Sequence, residues 1–302
     1  MNGKISNMQQ IASLRRYELV GGRGKGLEVI DCDNGKLRFL LNVTKGLDIM
    51  QVYHEGQNVS FLSKNAFTAR EIPFLNRFEG GMLYTCGVDN AGNREGYTQH
   101  GTYHETNAEI LTATCDERGI LVEAEIRMSA LFGKNLVMRR KIFTALGEET
   151  LHLEDTLVNE AYTDSEYVLL YHINVGYPML DEGAKLVLDA KSCEPVGVWA
   201  EQNEGSRYEM TEAKAGEEEC CYYYTLQKPE VALVNEKVGK KFTVKYSGDT
   251  LPVFLQWKSM ASGDYALGLE PCTSRIGGET VMQPLKAGAS VKFTVDLSVE
   301  KL

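Results

Sequence analysis

Tyr265-Ala-Leu-Gly-Leu-Glu-Pro271 alternates with a period of two, and this stretch organises the reading of the whole chain. Tyr265, Leu267 and Leu269 fall on one face of a strand, and Ala266, Gly268 and Glu270 fall on the other. Pro271 has no N–H to give to a ladder, which predicts a strand that ends there with Glu270 at its rim. Two small side chains beside one carboxylate leave open space over that face, as a bound ligand would require. The plainer reading is an exposed glutamate at a strand end.

The same period recurs along the chain. Leu121-Val-Glu-Ala-Glu-Ile-Arg-Met128, Val168-Leu-Leu-Tyr-His-Ile-Asn-Val175, Val253-Phe-Leu-Gln-Trp257 and Val291-Lys-Phe-Thr-Val-Asp-Leu297 all read as strands. Turn chemistry separates such runs at Asp33-Asn-Gly35, Glu117-Arg-Gly119, Ser247-Gly-Asp249 and Ala287-Gly288. Strands spaced by roughly 8–15 residues with turns between them predict an all-β fold. The expected architecture is a large antiparallel β-sandwich, two sheets face to face, forming a single domain over residues 1–302. Helical pattern is confined to Ser6 to Arg16 and Ser63 to Ala69, room for a turn or two each. Only seven prolines occur, none clustered, so no linker divides the chain.

Composition narrows the function classes. The 43% hydrophobic and 25% charged residues are those of an ordinary globular protein. A net charge of -10 without a Lys/Arg block argues against nucleic acid or an anionic membrane as partner. No apolar run reaches signal-peptide or membrane-span length, so the cytoplasm is the expected compartment. Seven cysteines, odd in number and without a C-x-x-C, predict reduced thiols instead of a disulfide framework or a zinc knuckle.

Several polar residues stand out against this background. Gly21-Gly-Arg-Gly-Lys-Gly26 precedes a strand-like run, so it is a hairpin and not a phosphate loop, which needs a following helix. His100 and His104 have i, i+4 spacing, but Gly101 between them and no Glu after His100 speak against a zinc helix. Gly101 would let a ligand come close to His100. His172 shares a strand face with Asn174 and Gly176, a polar strip that reads either as a satisfied core or as a binding surface. Arg77, beside Gly80 and Gly81, could fork onto hydroxyl or carboxylate oxygens; a salt bridge to Glu79 is the plainer reading. His54 and His152 read as ordinary surface or strand residues.

Taken in order, Gly46-Leu-Asp-Ile49, Phe78-Glu-Gly-Gly81 with Thr85-Cys-Gly-Val-Asp89, His100-Gly101, Tyr171-His-Ile-Asn174 and Leu269-Glu-Pro271 resemble the galactose mutarotase-like (aldose 1-epimerase) superfamily. The likeness runs from about Tyr17 onward and is closest to a bacterial branch whose substrates are mostly unassigned. It implies a β-sandwich with a sugar-binding cleft on a concave sheet face. It also implies Glu270 as general base, His172 as general acid and His100 as a substrate-binding partner near the ring oxygen. Arg77 is the implied contact to sugar hydroxyls. The chain departs from the classical branch after His172, where Ile173-Asn174 follows. It has no counterpart of the hydroxyl-reading Asp, a role Gln256 and Lys258 are expected to take, with Asn174 beside them.

Interconverting anomers needs a proton taken from O1 and one given to the ring oxygen, work for a carboxylate and an imidazolium. The expected activity is therefore that of a mutarotase or aldose 1-epimerase-like isomerase needing no cofactor and no metal. Its partner is a small carbohydrate, and Trp257, Tyr84 and Tyr177 are candidate stacking rings. A non-catalytic carbohydrate-binding protein on the same scaffold is the alternative. A sugar hydrolase or lyase is a third reading, with Arg77 and Lys258 as its only hint. Open strand edges would permit a homodimer.

Overall fold

The computed structural model describes residues 3–302, and strands dominate it. Five of them, Ser13–Glu18, Glu28–Asp33, Leu37–Asn42, Asp48–His54 and Gln57–Asn58, pair antiparallel in chain order as a small sheet. Alternation sets its faces: Leu37, Phe39 and Leu41 are buried, while Arg38 points to solvent and pairs with Asp31 at 2.7 Å. The Asp33-Asn-Gly35 turn closes its second hairpin, with the Asn34 amide oxygen accepting from the N–H groups of Lys36 and Leu37.

Helix is as sparse as the sequence pattern suggested but differently placed. Over Ser6 to Arg16 there is one 3-10 turn, Met8–Gln10, and then the Ser13–Glu18 strand. So short a helix is marginal alone, whereas pairing with Glu28–Asp33 gives the backbone a full set of partners. Ser63 to Ala69 forms no helix; a helical turn follows at Phe74–Arg77. Among the described residues no helix is long and apolar enough to cross a membrane. The seven cysteines are free thiols.

The large sheet has thirteen strands. Ser165–Val175, Asp264–Cys272, Val253–Ala261, Cys220–Asn235, Lys240–Tyr246 and Ser290–Lys301 lie side by side in that order. Beyond them come Thr150–Asn159, Asn135–Thr144, Gly119–Ser129 and Ala108–Asp116. Five strand spacings separate Ser165–Val175 from Ser290–Lys301, about 24 Å across a flat sheet. Yet the Tyr167 and Tyr171 rings lie 6.1 and 6.4 Å from Phe293. The sheet therefore bends round to face itself, and the small sheet joins the same core: Phe39, Ile49, Ile120, Tyr171, Leu267 and Phe293 belong to one apolar cluster. The all-β sandwich expected from the sequence is what forms.

The strand at Tyr265 differs from expectation in one respect. It continues through Pro271 to Cys272, and Glu270 is 1% exposed, not at a rim. Pro271 is tolerated because the ladder to Ser165–Val175 is interrupted there. Leu170 pairs with Cys272 and Ile173 with Leu269, and no bridge forms between.

Both sheets are tied together by Arg140, which is fully buried. Its Nε and Nη2 donate to Asp155, its Nη1 to Asp48 at 2.6 Å and to the Gly46 carbonyl, and its Nη2 also to Thr85 Oγ1. All five guanidinium donors are thus used. Asp48 comes from the small sheet and also binds His104 Nδ1 at 2.6 Å, whose Nε2 reaches Glu79 at 3.1 Å. Burial works against a charge on His104, but Glu79 and Asp48 more than offset it and raise the ring to about 9.

Removing one member of such a set leaves buried charges uncompensated. Arg140→Met is expected to destabilise the chain by about 3–5 kcal/mol, read from urea unfolding. A second test uses pH. A raised folded-state value means that the His104 contribution is complete below the ordinary 6.5 and is lost as pH rises towards about 9. Thermal scans should show Tm falling across that window, and His104→Gln should flatten the fall.

Candidate active site

Four neighbouring strands send His172, Glu270, Leu255 with Trp257, and Cys221 into a shared hollow. The register that pairs Ile173 with Leu269 brings His172 alongside Glu270; Leu255 pairs with Glu270, and Tyr223 with Leu255. One step along, Gly268 pairs with Trp257 and Trp257 with Cys221. A cavity of about 280 Å³ opens over these rows, walled by Phe74, Phe78, His100 and Glu219. The opposite face of the same strands, with Tyr171, Ile173, Leu267 and Leu269, belongs to the main core. Alternation thus divides core from site.

Gly268 is glycine for a steric reason. A Cβ there would collide with the Glu270 carboxylate and stand 3.0 Å from the Trp257 side chain. The missing side chain is the space into which the acid and the indole fold.

Within the hollow His172 Nε2 lies 3.3 Å from Glu270 Oε1. The His100 and His172 rings are 5.7 Å apart, and the Phe78 and Trp257 rings each lie 5.4 Å from His172. Burial pushes the Glu270 carboxyl well above its ordinary value, and the nearby Glu219 charge adds to the push. Burial also lowers His172 to about 3, helped by His100 and opposed by Asn174, and lowers His100 to about 4. Burial thus disfavours both charges of the pair and shifts it towards a carboxylic acid beside an imidazole. His100 has φ +64°, a strained conformation for a side chain of its size. Its Nδ1 accepts from the Gly92 N–H at 3.3 Å, which leaves its proton on Nε2 as a donor.

Three of the residues singled out from the sequence, Glu270, His172 and His100, therefore line one cavity. The other four do not. Arg77 faces an adjoining cavity and pairs with Glu105, not with Glu79, which is taken by His104. Asn174 shares the strand face with His172, but its amide folds back onto the His172 carbonyl. The chain at Ser60 and Phe61 covers that end of the strand: Phe61 N–H donates to Asn174 O, and a Cβ on Gly176 would stand 2.5 Å from the Phe61 Cα. Gln256 and Lys258 point to the opposite face from Trp257. Gln256 donates to Arg207 O, and Lys258 Nζ donates to Ser206 O and Glu209 O, so together they anchor that loop.

The aromatic candidates also separate. Trp257 lines the hollow, Tyr84 is buried and stacked on His104 at 3.8 Å, and Tyr177 is exposed. Glu219 and Phe78 belong to the site without having been singled out for it; Phe78 stood only within a longer motif. Their signal, an acid or a ring in an irregular segment, is too common to read alone. His54 is buried against Glu149, not on the surface. Among the described residues His54, Glu55 and Glu149 come nearest to a metal-ligand set. Lys36 pairs with both carboxylates and Lys301 with Glu55, which leaves the set little demand for a cation.

Residues 24–299 match the sequence profile of a family described as a domain of unknown function, DUF4432. No curated protein matches the chain. Solved structures match strongly. A Klebsiella pneumoniae protein described as a candidate aldose 1-epimerase superposes with TM-score 0.86 at 20% identity, over 95% of this chain and 83% of that one. A galactose mutarotase-like protein from Clostridium acetobutylicum gives 0.75 at 12% identity, over 97% and 100%. Galactose 1-epimerase from Lactobacillus acidophilus gives 0.66 at 13%, over 96% and 99%. The likeness is one of fold, which this chain shares with these proteins.

The raised Glu270 value carries a stability consequence. A buried carboxyl of this kind favours the folded state only below its ordinary 4.5, and that contribution is lost as pH rises. Glu270→Gln is therefore expected to melt at or above the parent temperature at pH 8, with the difference shrinking towards pH 5 in calorimetric scans.

Proposed function

We propose that this chain, which belongs to the DUF4432 family, is an isomerase that interconverts the anomers of a reducing sugar. The observation that carries this reading is the 3.3 Å approach of His172 Nε2 to Glu270 Oε1 inside the 280 Å³ hollow. Carboxylate with imidazolium has the same proton count as carboxylic acid with imidazole, one proton having moved between Oε1 and Nε2. With a sugar bound, the charged arrangement opens the ring. Glu270 takes the O1 proton, the C1–O5 bond breaks as C1=O1 forms, and O5 takes the proton from His172. This leaves the neutral pair that burial already favours. After rotation about C1–C2 the steps run backward: O5 gives its proton to His172 and attacks the other face of C1, while O1 takes the proton from Glu270. No net proton is exchanged with solvent. The Nε2–H of His100 supplies a hydrogen bond to the sugar oxygens, and Trp257 and Phe78 offer ring faces to its C–H surface.

The facing of His172 and Glu270 favours turnover over the binding-only alternative. Each acid–base group is worth about 10²–10⁴-fold in rate. Exchange NMR across a panel of aldoses should reveal accelerated anomer interconversion. Glu270→Gln should lose about 10²–10⁴-fold of it, and His172→Asn should lower kcat with little change in KM. Wild-type rates from Glu270→Gln would remove the base, and with it this reading.

A further inference from the structure

The dyad does not sit at the bottom of an isolated pocket. On one side, across Leu75, Phe78, Glu219 and Trp257, the hollow adjoins a chamber of about 400 Å³. On the other, across Phe74 and Gln99, it adjoins a chamber of about 540 Å³. The dyad thus occupies the middle of a groove. The central 280 Å³ falls just below the range for small-molecule sites, about 300–1,000 Å³. One sugar ring fills it, and the rest of the groove is spare for that substrate.

The 400 Å³ chamber has a lining suited to a second ring. Phe61 and Trp257 meet edge to face with centroids 6.3 Å apart, and Phe78 stands 6.3 Å from the same indole. Ser259 brings a hydroxyl to the same space, where Ser63 and Asn65 also lie with their side-chain donors held by the Phe78 and Leu75 carbonyls. Aromatic faces flanked by neutral hydrogen-bonding groups match the alternating C–H and O–H surfaces of a pyranose.

Charge narrows the class further. Among the described residues no Lys or Arg lines the central hollow, where Glu219 stands above Glu270. In the 400 Å³ chamber Lys64 is bound to Asp264 at 2.7 Å, and Glu217 and Glu219 face the same space. In the 540 Å³ chamber Arg77 is bound to Glu105, and Glu71 adds another carboxylate. Among the described lining residues every cation is already paired, so a phosphate or uronate would meet these carboxylates without one to offset them.

We infer that the substrate is an uncharged reducing saccharide of at least two units, its reducing-end ring over His172 and Glu270 and its next ring in the Phe61–Trp257 chamber. This rests on the isomerase reading for turnover but not for binding, and the test separates the two. Saturation-transfer NMR and exchange NMR are run with glucose, galactose, glucose 6-phosphate and the neutral reducing disaccharides maltose, cellobiose and lactose. The expected result is that at least one disaccharide binds and exchanges with kcat/KM at least tenfold above its component monosaccharide, with the phosphate ester weakest. Ala261→Trp, which fills the second chamber from the strand face shared with Trp257 and Ser259, should abolish the disaccharide advantage and leave monosaccharide exchange unchanged. Ala261→Phe repeats the block with a smaller ring should the first variant fold poorly. Disaccharide binding without accelerated exchange would overturn the isomerase reading and keep the two-unit assignment. Equal kcat/KM for monosaccharides and disaccharides, a preference for glucose 6-phosphate, or an advantage that survives both plugs would overturn the assignment.

Discussion

The guanidinium of Arg140 is the interaction on which the arrangement depends. A buried cation tolerates no loose partner, and here two carboxylates, a carbonyl and a hydroxyl from separate stretches of chain close around it. Asp155 holds it within the large sheet, and Asp48 brings the small sheet to it. From Asp48 the set runs through His104 to Glu79, next to the Phe74–Arg77 turn that walls the hollow. The packing of the sheets and the placing of Phe78 therefore share one electrostatic origin.

The dyad works by the opposite principle. Arg140 and His104 keep their charges because every charge has a partner. Glu270 and His172 are pushed towards their neutral forms because burial penalises both charges. A pair shifted towards neutrality by burial and one proton shift from its ionised form suits the ring opening and closing proposed for it. The same feature makes Glu270 a poor contributor to stability at neutral pH.

Much of this was legible in the residues. Alternation gave the strands at 121–128 and 291–297, and it placed Gly268 and Glu270 on one face with room above them. It did not give Leu83–Val88, whose six residues are all buried, so that no polar face marks the period. The same rule also explains the misplaced site residues. Gln256 and Lys258 alternate with Trp257, so strand period alone allowed only the indole or the two polar groups to face the hollow. Asn174 obeys the period and still fails, because the cover over it comes from Phe61, more than a hundred positions away in sequence. Arg77 went elsewhere for want of a free charge: Glu105, unremarkable in sequence, claims it. Of the stretches that carried the family likeness, Asp48, Glu79 and Thr85 serve the buried scaffold, while His100, His172 and Glu270 serve the hollow.

The cover at Ser60 and Phe61 has a mechanical consequence. This segment follows directly from the small sheet and forms a wall of the groove, while the floor, with Trp257, Ser259 and Glu270, belongs to the large sheet. The wall thus hangs from the small sheet at one end and is stitched to the large sheet at the other, Phe61 N–H to Asn174 O and Gly176 N–H to Val59 O, while the buried salt network joins the two halves behind it. Anything that lets the halves drift apart slackens the grip on whatever lies between them, and a molecule clamped there braces the halves in return.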